Sequence, residues 1–153
     1  MKIGKISLVL LLFFSLPSFS QIMKIEFAKE ASIGKIAPGG VKTMECFKVE
    51  GEETFRFDYQ DQKYSRLNEW KSFEIKSNED FETLYSYLLD GFKEIPKEPV
   101  TLMLGGNLGI LQLKFEKFLG NPVVRFMHSA DNSITGYTNL YTQKQVKKLF
   151  GKE

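Results

Sequence analysis

Apolar and polar residues alternate along much of this chain, and the alternation predicts β-strands because successive side chains of a strand point to opposite faces. The clearest stretch is 54–59, in which Phe55, Phe57 and Tyr59 share one predicted face. Similar stretches, separated by turns rich in Gly, Asn and Asp, predict further strands at 41–50, 70–76, 100–104, 109–118, 123–129 and 134–141. The sequence therefore predicts two runs of consecutive antiparallel strands.

Four stretches carry a weaker pattern. Residues 22–27 alternate and predict a short first strand, whereas 33–40 contains three glycines and a proline and predicts a loop. Residues 60–68 are polar and predict a connection that includes a short edge strand around Tyr64. Residues 120–122, Gly-Asn-Pro, predict the turn of a hairpin.

Residues 78–91 repeat apolar side chains at the spacing of an α-helix. Ser77 and Asp80 are placed as in a capping box with a shortened acid, and acidic residues fill the first predicted turn, where the helix dipole favours them. The apolar stripe that would pack on a sheet consists of Phe81, Leu84, Tyr85, Leu88 and Phe92. Gly91 is predicted to end the helix.

A second helix is predicted at 142–150, where Thr142 and Gln145 have the spacing of a capping box. Together the elements predict an α+β fold in which antiparallel β-meanders are each followed by one amphipathic helix. The two meander–helix halves share a pattern, which leaves open either a degenerate duplication or the general likeness of strand–helix junctions. This order of elements resembles the whirly-like arrangement of single-strand nucleic-acid binders, and the resemblance lies in topology alone and implies no residue role or activity.

The first twenty residues have the pattern of a secretory signal peptide. Lys2 and Lys5 give a positive start, an almost wholly apolar run follows from Ile6 to Phe14, and small residues precede the predicted cleavage after Ser20. The apolar run is much shorter than the roughly 20 residues that span a bilayer. A retained membrane anchor is the alternative interpretation of the same segment.

Charge argues against nucleic acid as the partner. The chain has a formal net charge of +2, and loss of 1–20 removes two of its 21 basic residues and none of its 19 acidic ones, so the remainder is balanced. A balanced chain has no net field that attracts polyanions. The sequence thus predicts an exported protein, periplasmic or secreted, that divides into a signal peptide at 1–20, an N-terminal strand and loop segment at 21–40, and a single α+β domain at 41–153.

The chain has one cysteine and one histidine, and these counts exclude many kinds of site. A lone cysteine forms no internal disulfide and no cysteine cluster for zinc, and Cys46 lies in an apolar-leaning stretch that predicts a buried side chain rather than a reactive thiol. His128 has the parity of Val124 and Phe126, which predicts a place on the core face rather than the role of a catalytic base. The glycine-rich stretch 105–109 precedes a predicted strand instead of a helix, which argues against a phosphate-binding loop. No catalytic residue, metal site or cofactor is predicted.

Aromatic residues on strands are the best candidates for function. Trp70 has the parity of the polar positions of its predicted strand, and Tyr64 and Arg66 lie close to it in the sequence. Tyr137 and Tyr141 are further candidate binding residues, on the last predicted strand. An aromatic side chain on a solvated sheet face is a stacking platform for a sugar, a peptide or a protein, whereas the alternative is that Trp70 covers an edge of the core.

The sequence therefore predicts a non-enzymatic binding or structural module whose partner is a protein, peptide or glycan outside the cytoplasm. The alternative is a small hydrolase that uses a pair of carboxylates. Glu52 and Glu53, and likewise Glu79 and Asp80, are adjacent acids, although a predicted turn and a predicted helix start already account for them. The pattern of residues gives no geometry for such a pair.

Overall fold

The computed structural model describes residues 28–106, 108–130 and 136–153, which form two antiparallel sheets and two α-helices. The first sheet is a meander of four strands: β1 (Glu30–Ile36), β2 (Met44–Val49), β3 (Phe55–Gln60) and β4 (Trp70–Ile75). The second sheet has five strands: β5 (Val100–Met103), β6 (Ile110–Phe118), β7 (Asn121–Ser129), β8 (Gly136–Tyr137) and β9 (Tyr141–Thr142). Helix α1 (Asn78–Lys93) connects the sheets, and α2 (Gln143–Leu149) follows the second. The predicted α+β class is confirmed.

The first sheet has the alternation that its sequence predicts. Phe55, Phe57 and Tyr59 of β3 are buried, while the residues between them are partly exposed. Phe57 lies opposite Cys46 on β2 and Phe73 on β4, so one apolar row crosses the middle of the sheet. This row is the face on which the rest of the protein packs.

The two helices begin as predicted. The hydroxyl of Ser77 accepts a hydrogen bond of 3.0 Å from the backbone N–H of Asp80 at the start of α1. At the start of α2 the Thr142 hydroxyl accepts from the Gln145 N–H at 3.4 Å, and the Gln145 side chain accepts from the Thr142 N–H at 2.8 Å. This reciprocal pair is the capping box that the spacing predicts.

One aromatic core is shared by both sheets and both helices. The ring of Phe57 lies 4.9 Å from that of Phe73 and 5.4 Å from that of Phe150, which follows α2. Phe73 in turn lies 6.5 Å from Phe126 of the second sheet, and Phe81 of α1 lies 4.8 Å from Phe150. Because such pairs contribute about 0.5–1.5 kcal/mol each beyond the burial of their area, this cluster holds the four parts together.

Two glycines interpreted as breakers lie inside regular elements. At both positions neighbouring groups leave no room for a Cβ, which explains why the residue is glycine. Gly34 lies within β1, beside an irregular register between Ser32 and Gly34, and a Cβ there would come within 2.0 Å of the Lys148 carbonyl oxygen. The predicted loop at 33–40 is thus wrong for its first half, and only Pro38–Gly40 form a short 3-10 helix. Gly91 does not end α1, since the helix continues to Lys93. Glycine is required at this position because a Cβ would come within 2.2 Å of the Phe115 ring.

Three other boundaries differ from the sequence-based expectations. A 3-10 helix at Gln62–Leu67 replaces the edge strand expected around Tyr64. The β6–β7 turn is formed by Leu119 and Gly120, so that Asn121 and Pro122 already belong to β7. The strand expected at 134–141 is divided into β8 and β9, with 131–135 outside the described residues.

Two further expectations concern residues that the structure does not describe. The signal peptide at 1–20 and the short strand at 22–27 both lie outside the described residues. In the ranges that are described, neither helix has the length and apolar character needed to cross a membrane.

Candidate binding surface

Trp70 is the first residue of β4 and lies on the side of the first sheet that faces solvent. It alternates with Phe73 and Ile75, which are buried, and its parity is that of Ser72, which is exposed. The Trp70 residue is 37% exposed. Its indole therefore adds an apolar surface to the polar side of β4.

A cation lies against the Trp70 ring, and two side-chain amides lie on the neighbouring strand and in the connection that precedes Trp70. The Lys42 ammonium lies 5.2 Å from the ring centroid and 2.8 Å from a carboxylate oxygen of Glu45. Gln60 lies opposite Trp70 on β3, and its side-chain amide donates a hydrogen bond of 2.9 Å to the Asn68 side-chain oxygen. We call Lys42, Gln60, Asn68 and Trp70 the Trp70 surface. It offers a ring face, a positive charge and amide groups to a partner.

The structure separates Tyr64 from the Trp70 surface. Tyr64, 37% exposed, lies on the 3-10 helix between β3 and β4, with the ammonium groups of Lys63 and Lys71 at 5.4 and 5.2 Å from its ring centroid. Lys71 has the parity of the buried side of β4, opposite to Trp70. In the described part of the chain no ring contact joins Tyr64 to Trp70. Arg66, on the same 3-10 helix, is exposed.

The buried carboxylate of Asp61 connects the 3-10 helix after β3 with β8 of the second sheet. Asp61 has a fully buried side chain, and its Oδ1 accepts hydrogen bonds from the backbone N–H groups of Lys63, at 3.0 Å, and Tyr137, at 3.2 Å. The Lys71 ammonium lies 2.7 Å from Asp61 Oδ2. Burial by itself would raise the pKa of Asp61, but the hydrogen bonds from Lys71 and the two backbone groups hold the pKa below its usual range. Asp61 therefore fixes β8 against the end of the first sheet.

Asp61 was not singled out from the sequence. The available signal is local: an Asp precedes the polar stretch 62–67, as at the start of many helices, and Asp61 does cap the 3-10 helix there. Its contact with Tyr137 joins residues far apart in the chain, and such a contact leaves no periodic pattern in the sequence.

The two tyrosines of the second sheet have different environments. Tyr137 is partly buried, with the Arg125 guanidinium 5.2 Å from its ring centroid. Tyr141 is 1% exposed, and its hydroxyl donates a hydrogen bond of 3.2 Å to the hydroxyl of Thr43. Burial raises the pKa of Tyr141 to about 12. Tyr141 is thus a core residue that offers no side-chain surface to a partner.

His128 and Cys46 both lie in the core, as their sequence context predicts. His128 is 6% exposed, its ring lies 5.7 Å from that of Phe73, and its Nε2 donates to the Leu108 carbonyl at 3.3 Å. Burial lowers the pKa of His128, which the Leu108 contact partly offsets and the charge of Lys71 reinforces. Cys46 is fully buried, and burial raises the pKa of its thiol. Neither group is placed for nucleophilic chemistry at the surface.

A cleft of about 390 Å³ opens between the end of β4, α1 and β5. Its apolar lining includes Ile75, Leu84, Leu104 and Leu111, all of which are buried. Two carboxylates also line it, those of Glu74 and Asp80, and Glu74 forms an ion pair with Lys76. Within the described ranges, no three His, Cys, Asp or Glu side chains are grouped to hold a metal ion.

The chain matches no protein-family model, no curated protein and no solved structure. Its function is therefore inferred from the chemistry of its own surfaces.

Proposed function

We propose that this protein is an exported, non-enzymatic binding module that holds a protein, peptide or glycan partner at the Trp70 surface. The single observation that carries the proposal is the Trp70 ring, 37% exposed on the solvent side of a sheet, with the Lys42 ammonium 5.2 Å from its centroid. The pattern of 1–20 supports a place outside the cytoplasm, in the periplasm or beyond it.

The exposed part of Trp70 is large enough to contribute measurably to binding. A tryptophan side chain presents up to about 250 Å², so the exposed third amounts to roughly 90 Å². At about 25 cal/mol per Å², covering this area favours a complex by about 2 kcal/mol, or about 30-fold in affinity. The Gln60 and Asn68 amides and the Lys42 ammonium add directional contacts around it.

The experiment uses the fact that Trp70 is the only tryptophan in the sequence. Indole fluorescence of the protein therefore reports on the Trp70 surface alone. We expect saturable quenching or a spectral shift when the protein without residues 1–20 is titrated with one class of ligand from panels of oligosaccharides and extended peptides.

The matched variants are Trp70→Ala and Tyr87→Ala, because Tyr87 is also an exposed aromatic residue, 44% exposed, on α1. Calorimetric titration should show binding weakened about 30-fold or more in Trp70→Ala and retained in Tyr87→Ala, with the melting temperature of Trp70→Ala nearly unchanged. A large loss of stability in Trp70→Ala would assign the ring to the support of the core, and unchanged binding would refute the proposal.

A small hydrolase remains the alternative, and the observation that favours it is the cleft lined by Glu74 and Asp80. The ion pair with Lys76 already occupies one of these two carboxylates, which makes this function the weaker candidate. If the cleft is catalytic, Asp80→Asn should abolish hydrolysis of an oligosaccharide while leaving the Trp70 fluorescence titration unchanged. Equal rates of hydrolysis for the unmodified protein and Asp80→Asn would eliminate this alternative.

A further inference from the structure

The hairpin of β6 and β7 ends in a tight turn that extends away from the rest of the protein. Phe118 and Asn121 are its last paired residues, so Leu119 and Gly120 form a loop of two residues. Their φ angles are 50° and 83°, as the common two-residue hairpin turn requires. A Cβ built on Gly120 would meet no atom within 4 Å, which places the turn in open solvent.

Leu119 is an unfavourable residue for this position on two grounds. The left-handed backbone conformation is adopted readily by Gly and Asn, whereas a bulky side chain is strained there. Leu119 is also 86% exposed and its neighbour Phe118 is 54% exposed, so two apolar side chains face water at the end of the hairpin. Asn followed by Gly is the preferred sequence for such a turn and would remove both penalties. The conflict between local preference and the residue present indicates a function for the turn.

The charges near this turn are mainly positive, although Glu116, which pairs with Val123, adds one carboxylate on β6. Lys117 directly precedes Phe118. Lys144 is the second residue of α2, two positions after Thr142, which pairs with Val123 close to the turn. Lys114 lies further back on β6, and all three lysine side chains are exposed. In the part of the chain that the structure describes, none of the three forms an ion pair.

We propose that the end of this hairpin inserts the side chains of Phe118 and Leu119 into the surface of an anionic phospholipid membrane. The two side chains would enter the boundary between headgroups and acyl chains, while Lys117 and Lys144 contact headgroup phosphates. Apolar residues combined with flanking cations are the requirements for interfacial attachment to anionic lipid. The attachment is peripheral and leaves the Trp70 surface available for its partner.

The size of the exposed apolar area favours lipid over a protein partner. A stable protein interface buries about 800 Å² on each side, far more than two side chains at the end of a narrow hairpin present. A membrane needs no matching shape, because fluid lipid closes around whatever is inserted. The unpaired lysines complement lipid phosphates directly, which supplies the electrostatic part of the attraction.

The test measures sedimentation of the protein without residues 1–20 with vesicles of phosphatidylcholine alone and of equimolar phosphatidylcholine and phosphatidylglycerol. The variants are Leu119→Asn and, as a matched control, Met103→Gln, because Met103 on β5 is 87% exposed and lies away from the hairpin turn. We expect the unmodified protein to bind the anionic vesicles, more weakly at high salt. Leu119→Asn should bind them about tenfold or more weakly, and Met103→Gln as strongly as the unmodified protein.

Leu119→Asn gives a second, opposite readout. Because Asn relieves the backbone strain, the melting temperature should rise by about 2–4 °C or more while vesicle binding falls. Failure of the unmodified protein to bind either kind of vesicle would overturn the proposal and leave a protein as the partner of the turn. Equal binding by Leu119→Asn would also overturn it. Neither result bears on the fluorescence titration of the Trp70 surface, so the two proposals fail separately.

Discussion

Replacement of Asp61 by Asn tests whether the buried carboxylate holds the two sheets together. Asn keeps an oxygen that accepts from the N–H groups of Lys63 and Tyr137, which lie 3.0 and 3.2 Å from Oδ1. It removes the negative charge 2.7 Å from the Lys71 ammonium and can place an amide donor against it. The substitution thus isolates the ion pair from the two backbone hydrogen bonds.

The expected loss is about 2–3 kcal/mol in the free energy of unfolding. Removal of one partner from a buried pair costs about 3–5 kcal/mol. Lys71 keeps 18% of its side chain exposed and lies 3.8 Å from Glu69, so part of its charge remains compensated. Urea unfolding at pH 7, followed by the fluorescence of Trp70, measures the difference between the two proteins.

The pH dependence gives a second check on Asp61. Since the pKa of Asp61 is lower in the folded state than the unfolded value of about 3.9, the unfolded state binds more protons in acid. The stability from Asp61 is therefore present above about pH 4 and is lost as the pH falls further. The difference between the original protein and Asp61→Asn should accordingly shrink between pH 7 and pH 3.

The control for this prediction is Asp58→Asn, because Asp58 forms an ion pair of 2.9 Å with Arg56 but keeps 28% of its side chain exposed. Exposed pairs contribute about 0–1 kcal/mol, so this variant should lose less stability than Asp61→Asn. Equal losses for the two variants, or a loss for Asp61→Asn that does not change with pH, would refute the argument.

Three further predictions concern the core. Gly91→Ala should lower the free energy of unfolding by about 1–3 kcal/mol despite the better helix propensity of Ala, because its Cβ would lie 2.2 Å from the Phe115 ring. In a Phe115→Ala background the same change should become stabilising, which a double-mutant cycle measured by urea unfolding would show. The Cys46 thiol, fully buried, should react with a thiol reagent at pH 8 only as fast as the protein unfolds, and rapid labelling without denaturant would contradict its position. Burial lowers the pKa of His128, so stability should fall as the pH drops below about 6.5, and His128→Gln should show a smaller fall in melting temperature between pH 8 and pH 5.5.

Local signals predicted the starts of both helices and most of the strands of this fold, but not β1. The burial of Phe55, Phe57 and Tyr59 follows from alternation alone, because one face of an antiparallel sheet packs on the core. The caps at Ser77 and Thr142 depend on residues within three positions of each other. Contacts between residues this close in the chain leave a pattern that can be recognised in the sequence.

Features that depend on distant contacts could not be predicted in this way. Gly34 and Gly91 resemble breakers in the sequence, yet each is required by a group from elsewhere in the chain, the Lys148 carbonyl and the Phe115 ring. Tyr141 was a candidate surface residue, but the division between β8 and β9 breaks the parity argument and the ring enters the core.

The candidate surface was predicted only in part. Trp70 lies on the solvent side of β4, as its parity indicates. Lys42 was not expected beside it, because the contact joins the segment before β2 to β4, on the far side of β3. The binding roles of Trp70, Tyr64, Arg66 and Tyr137 remain predictions for the titrations described above.

The position of Phe150 has a consequence for the order of events during biosynthesis. Its ring contacts Phe57, Phe81 and Tyr85, at 5.4, 4.8 and 5.2 Å, and α2 lies against β1, so the earliest and latest segments of the described fold meet. A ribosome releases these segments in sequence, and a nascent chain that lacks α2 leaves its aromatic residues without their cover. The polypeptide should therefore stay loosely packed until α2 has emerged from the ribosome, because only then can the aromatic core close.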